Sequence, residues 1–208
     1  MVISVSIFTT SCKKDNNDQP ATLYLKNITL KDEVKVYTKD GEITDPQVRD
    51  QSKISTGINL ISHPINPQAN PVHVTFLSNN SFLLSSDRYS YEKLNDTFIF
   101  TYIDSLLVHP QDDDFLTVLP FYKYSTVRNN NDGTSIYGRQ FVGHGGYSAL
   151  KISGMDLCVL KRDTVTGAIT QRRVGFDLNE FNADGIKSLG KYDTLAVREY
   201  SYNYASDK

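Results

Sequence analysis

Along most of the chain, apolar and polar residues alternate with a period of two. That is the pattern of strands that turn one face to a core and the other to water. Residues 33–39 read Glu-Val-Lys-Val-Tyr-Thr-Lys, with Val34 and Val36 on one face and Lys35 and Tyr37 on the other. Asp40-Gly41 then predicts a tight turn into a short partner strand. Further strand-like runs occupy 72–77, 82–86, 88–93, 97–105 and 115–127, then 134–142, 147–152, 156–162 and 168–176, with a last one over 193–204. The run from Phe98 to Ile103 is apolar on both faces, which predicts burial on both sides. Two helical pieces interrupt the strands. Asp45 followed by Pro46 predicts an N-cap and first helical residue, and the helix should stop before Gly57. Asp177 and Glu180 have the spacing of a capping box ahead of Leu178, Phe181, Ile186 and Leu189, with a break at Asp184-Gly185. Pro64, Pro67 and Pro71 make 62–71 a loop.

Strands of this number with tight turns and no βαβ rhythm define a mainly β, antiparallel domain. It should be either a barrel or a β-sandwich, with one or two short helices. The meander order, with a helix before the last strand, resembles lipocalin-type barrels, although the Gly-x-Trp of that family is missing. The last strand has a change of face within it. Leu195 and Val197 are apolar on one side, and then Tyr200, Tyr202 and Tyr204 form a row on the other while Glu199, Ser201 and Asn203 are polar. A bulge or strong twist would produce such an exchange. The tyrosine row is expected to be at least half buried, as core or as the ligand-binding wall of a cavity mouth.

The N-terminus has a different character. Residues 2–8 are a short apolar run, followed by Thr9, Thr10, Ser11 and Cys12, then by Lys13, Lys14, Asp15, Asn16, Asn17 and Asp18. The apolar run fits the h-region of a secretory signal. The polar stretch cannot bury apolar area and should be a disordered tether. The segment resembles the lipobox of bacterial lipoproteins, with Thr9 where that family usually has Leu. The Ser-Cys-Lys-Lys-Asp form is similar to lipoproteins of Bacteroidota. The resemblance implies a signal peptide over 1–11, lipidation of Cys12 with fatty acyl chains such as palmitate, and a tether over 12–21. It also implies anchoring on the outer membrane, facing the periplasm or the cell surface. A single β-rich domain over 22–208 would follow.

Charge and composition narrow the function further. The chain has 22 Lys and Arg against 24 Asp and Glu, a net charge of −2, and no basic block. Nucleic acid is therefore not an expected partner, since phosphate contacts need clustered cations. There are 13 Tyr and 10 Phe but no Trp, a composition that favours strands. Cys158 sits in an apolar run and reads as a buried small hydrophobe that does not bridge to Cys12.

The search for chemistry finds no catalytic motif. Gly146-Tyr147-Ser148-Ala149-Leu150 begins like a nucleophile elbow but lacks its last glycine. His63, His73, His109 and His144 have no zinc-site spacing. The calcium-loop look-alikes at Asn130–Gly133 and Asn182–Gly185 carry Arg139 and Lys191 where a bidentate Glu belongs. Asp112-Asp113-Asp114 reads as a solvated loop. Neither metal nor cofactor is expected. Asp104-Ser105-Leu106, Asp163-Thr164-Val165 and Asp193-Thr194-Leu195 resemble the O-glycosylation signal of exported Bacteroidota proteins, but strand ends explain them better. The expected function is that of an envelope lipoprotein with a binding or structural role. Its partners would be the membrane, through lipid at Cys12, and a small apolar ligand, a glycan or an envelope protein. The alternative is an envelope hydrolase whose residues meet only in three dimensions.

Overall fold

The computed structural model describes residues 20–31, 33–58, 73–102, 106–108, 117–129 and 135–206. The elements are strands β1 (Ala21–Leu30), β2 (Lys35–Thr38), β3 (Gly41–Glu42), helix α1 (Pro46–Thr56), β4 (His73–Leu77), β5 (Ser81–Leu84), β6 (Asp87–Leu94), β7 (Thr97–Tyr102), β8 (Leu106–Val108), β9 (Ser125–Asn129), β10 (Ser135–Gly145), β11 (Ala149–Arg162), β12 (Ile169–Asp177) and β13 (Thr194–Ala205). Two 3-10 turns, Leu119–Phe121 and Ala183–Ser188, complete the described elements.

The strands β1, β4, β5, β6, β7, β10, β11 and β13 pair antiparallel in that order, and β13 pairs back to β1. The result is a closed eight-stranded barrel of lipocalin-like arrangement. Closure leaves the barrel itself without an open edge. Strands β11 and β13 are longer than the barrel needs. Their outer halves continue beyond it and carry β12 on one side and the β2–β3 hairpin on the other.

This extension explains the change of face in β13. Its register against β11 is unbroken from Ala149↔Ala205 to Leu160↔Thr194, so neither a bulge nor a slip against β11 exchanges the faces. The exchange comes from a change of layers. In the extension, both faces are covered. Leu195 and Val197 pack with Met155, Leu157, Val159, Val118 and Phe121 beneath the 3-10 turns. On the opposite face, Ala196 and Cys158 pack with Val36 and Ile58 on the α1 side. Inside the barrel the tyrosine face becomes the interior, and Glu199 and Asn203 reach the outer wall.

Helix α1 forms as its sequence predicts. Asp45 Oδ1 accepts the Gln47 and Val48 amides at 2.9 and 3.0 Å, Pro46 stands in the first turn, and Gly57 ends the helix at φ 62°, where a glycine is favoured. The carbonyl of Thr56 is one of those a helix end leaves without an intrahelical donor. The Cys158 thiol donates to it at 2.8 Å, and the Gln171 amide donates to it as well. Cys158 is thus a buried residue, as expected, that fastens the helix to the sheet.

Several expectations need correction. Strand β1 is absent from the period-two reading, although Leu23 and Leu25 alternate with Tyr24 and Lys26, and it begins at Ala21. Of the strand expected over 115–127, the described part from Thr117 is instead helical with a 3-10 turn around Pro120, followed by a strand only from Ser125, because a proline lacks the ladder donor. The two runs at 147–152 and 156–162 are one strand. No helix starts after Asp177: β12 runs through it, and Asn182 caps the turn Ala183–Ser188. Ile99 on β7 is half-buried, while Phe98 and Phe100 on the other face are fully buried. The proline loop 62–71 lies outside the described residues.

Candidate functional site

The tyrosine row lies inside the barrel. Tyr200, Tyr202 and Tyr204 are only 1, 1 and 3 % exposed. They share one core with Leu23, Val74, Phe76, Phe82, Leu84, Tyr89, Tyr91, Phe98, Phe100, Phe141, Leu150 and Ile152, to which every barrel strand contributes. The rings touch in offset and edge-on geometries. Phe100 and Phe141 stack at 4.8 Å between centroids, and Phe76 meets Phe98 at 5.0 Å, Phe82 at 5.1 Å and Tyr91 at 5.3 Å. Tyr200 and Tyr202 meet edge to face at 5.3 Å. An eight-stranded barrel is just wide enough to be filled by its own side chains or to hold one small ligand. Here the rings fill it.

The filling is tight enough to dictate glycines. A Cβ on Gly154 would lie 2.5 Å from Tyr200 Cε2, and one on Gly143 would lie 2.9 Å from Phe100 Cε2. Burial pushes all three tyrosine phenols far above their ordinary range; for Tyr200 the neighbouring Tyr202 and Asp156 add to it.

Below the row, where the barrel meets the extension, a buried ion pair closes the interior. Asp156 is fully buried, and Arg198 lies directly opposite on β13. Arg198 donates to Asp156 Oδ2 through Nε at 2.9 Å and Nη2 at 2.8 Å, and the Tyr200 hydroxyl donates to Oδ1 at 3.4 Å. Two nitrogens of a rigid fork on one carboxylate fix the register of the strands on which they stand.

The described histidine with a carboxylate beside it is His144, on the outer wall. Glu180 Oε1 lies 3.7 Å from His144 Nε2 and 3.4 Å from Ser153 Oγ, and Glu180 Oε2 accepts from Lys123 Nζ at 2.7 Å. Burial alone would raise the Glu180 carboxyl. The hydrogen bond and charge of Lys123, with His144 and Lys31 farther off, outweigh it and hold the carboxyl below its ordinary range. The same bond raises the Lys123 ammonium. Neighbouring Asn179 fastens this loop by donating to the Tyr124 and Gln140 carbonyls at 2.8 and 3.0 Å. Serine hydrolysis needs the histidine between nucleophile and acid. Here the carboxylate occupies the middle, and the group works as a clasp between loop and wall.

The remaining sequence motifs resolve into turns. Gly146–Ser148 lie in the β10–β11 hairpin, where the Gly146 amide donates to the Ala149 carbonyl at 2.7 Å. Asp184 pairs with Lys187 at 3.2 Å, and Asn182 caps. Asp163 accepts the Val165 and Thr166 amides at 2.8 and 2.7 Å at the exposed β11–β12 tip, and those backbone bonds lower its pKa. Thr194 and the fully buried Leu195 begin β13. Among the described residues, no group of three His, Cys, Asp or Glu is placed to hold a metal. Cys12, His63, His109, Asp104-Ser105, Asp112–Asp114 and Asn130–Gly133 lie outside the described residues.

One open groove was not anticipated. It has a volume of about 330 Å³ and runs between α1 and the far end of the extension, with Val48 and Ser52 on the helix bank and Leu160, Arg162, Ile169 and Tyr192 opposite. Three of the exposed large hydrophobics of the chain, Val48, Ile169 and Tyr192, line it at 49, 58 and 53 % exposure.

A closed antiparallel barrel with an aromatic-filled interior and polar clasps outside defines the class structurally. No family model matches the chain, and no curated protein or solved structure matches it significantly.

Proposed function

We propose that this chain is an envelope lipoprotein, acylated at Cys12 and held on the outer membrane, with a non-catalytic role exerted through its outer surface. The anchor rests on the Ser11-Cys12 lipobox and the polar residues after it. The observation that carries the non-catalytic half is the interior, where aromatic rings fill the space that a lipocalin-like barrel would give to a small apolar ligand. With the interior occupied, the partner is a glycan or an envelope protein met from outside. In the clasp at Glu180 the order of groups does not favour a hydrolase.

Two acyl chains anchor stably where one does not. Metabolic fatty-acid labelling should therefore mark the wild-type protein and leave Cys12→Ala unlabelled and released to the soluble fraction. Labelling that persists in the variant, or a soluble wild type, removes the anchor.

A further inference from the structure

The groove beside α1 lies at the end of β13 opposite to the one where β1 begins. Strand β1 begins at Ala21, and Tyr24 pairs with Ala205, the last residue of β13. The groove contains Thr194, the first residue of β13. Twelve residues of β-strand separate these ends, on the order of 35 Å at about 3.3 Å per residue. On a protein anchored through Cys12, the groove would face away from the membrane, and this placement rests on the function proposed above.

The lining of the groove has one sign of charge. Lys161 and Arg162 belong to it, and no Asp or Glu does. Neither cation has a carboxylate partner among the described residues. Lys161 Nζ donates to the Thr117 hydroxyl at 3.0 Å. The nearby carboxylate of Asp193 is already held by the backbone amides of Arg162 and Gly190, at 3.1 and 2.9 Å. Asp50, on α1, is engaged with Lys53 at 3.3 Å. Beside the cations stand the half-exposed Val48, Ile169 and Tyr192. Aromatic and arginine side chains on an open apolar floor are the usual anchors of protein interfaces. A small molecule needs most of its surface enclosed, and walls half open to water do not enclose one. An extended chain laid across the trough needs no enclosure.

We propose that this groove docks an extended segment of a partner protein in which carboxylates flank an apolar side chain. The apolar side chain would sit between Val48 and Tyr192, and a carboxylate would meet Arg162.

The test is selection of a random peptide library displayed on phage against the detergent-solubilised full-length chain, with counter-selection against Arg162→Glu. Both Arg162 and Tyr192 are exposed, so Arg162→Glu and Tyr192→Ser should fold with unchanged melting. Recovered peptides should be enriched in Asp or Glu next to apolar residues. As synthetic peptides they should shift the amide resonances of Gln51, Ser52 and Tyr192. Their affinity should fall by roughly tenfold or more in each variant, and fall with added salt. Recovery of no Arg162-dependent peptide overturns the proposal, as does enrichment of basic or neutral peptides. Self-association of the chain that Arg162→Glu abolishes would assign the groove to a second copy, and so also overturn it. The selection does not require acylation, so failure of the anchor and failure of the groove are read separately.

Discussion

A chain ended after Asp193 is expected to lose cooperative folding altogether. The missing strand β13 pairs with β1, β11 and β2, closes the barrel and continues into the extension. It also carries Leu195, Val197, Tyr200, Tyr202 and Tyr204, all at most 3 % exposed. Burying a large apolar side chain contributes about 1.5–3 kcal/mol, so these five sum to roughly 10 kcal/mol, comparable with the entire stability of a typical domain. Loss of β13 also leaves the facing edges of β1, β11 and β2 unpaired. The truncated chain should show no dispersed amide spectrum and no sigmoidal thermal transition. A truncated protein that melts as sharply as the full chain would mean that β13 is a dispensable tail and the barrel closes without it.

The second large effect is expected at Asp156. Replacing it with Ala leaves the Arg198 guanidinium, itself only 14 % exposed, without the carboxylate opposite. Removing one partner of a buried ion pair typically costs about 3–5 kcal/mol. Arg198→Leu alone should cost a similar amount, since it removes the cation opposite the buried carboxylate. Asp156→Leu combined with Arg198→Leu should recover most of the loss, because an apolar pair of similar volume removes both desolvation costs together. Urea unfolding of the four proteins gives the cycle. Near-additive single effects would show that water reaches the pair and that the lower end of the barrel is open.

Much of the fold is legible in the sequence because its causes are local. The period of two at 33–39 and the apolar run at 97–102 mark strands, and Asp45-Pro46 with Gly57 brackets α1 through capping chemistry that acts within one turn. The errors fall where the cause is tertiary. Strand β1 is edged by polar Thr and Asn, and its burial comes from β4 and β13, which are far away in sequence. Leu178–Leu189 has helix-like spacing, but Leu178 packs on the barrel core while Phe181, Ile186 and Leu189 pack with Tyr37 and the turn around Pro120. The tyrosine row was recognisable as a buried face. Whether such a row walls a cavity or fills one depends on what seven other strands bring inward, and no single strand encodes that. The groove is harder still: it joins α1, the end of β11, the start of β12 and Tyr192, which the β11–β12 and β11–β13 ladders bring together.

A residue-resolved alkaline titration of the tyrosines tests the filled interior most directly. The folded barrel holds Tyr200, Tyr202 and Tyr204 as neutral phenols, with burial raising each above the ordinary value of 10.0. The unfolded chain releases these protons near that value, so above it the unfolded state binds fewer protons than the folded one. Stability is therefore complete below about pH 10 and declines as pH rises, by roughly 1.4 kcal/mol per pH unit for each phenol still held neutral, or about 4 for the row. The row should stay silent until the whole domain unfolds in one cooperative step. Ionisation of any of the three near pH 10 in a protein that remains folded would place water inside the barrel and contradict the filled core.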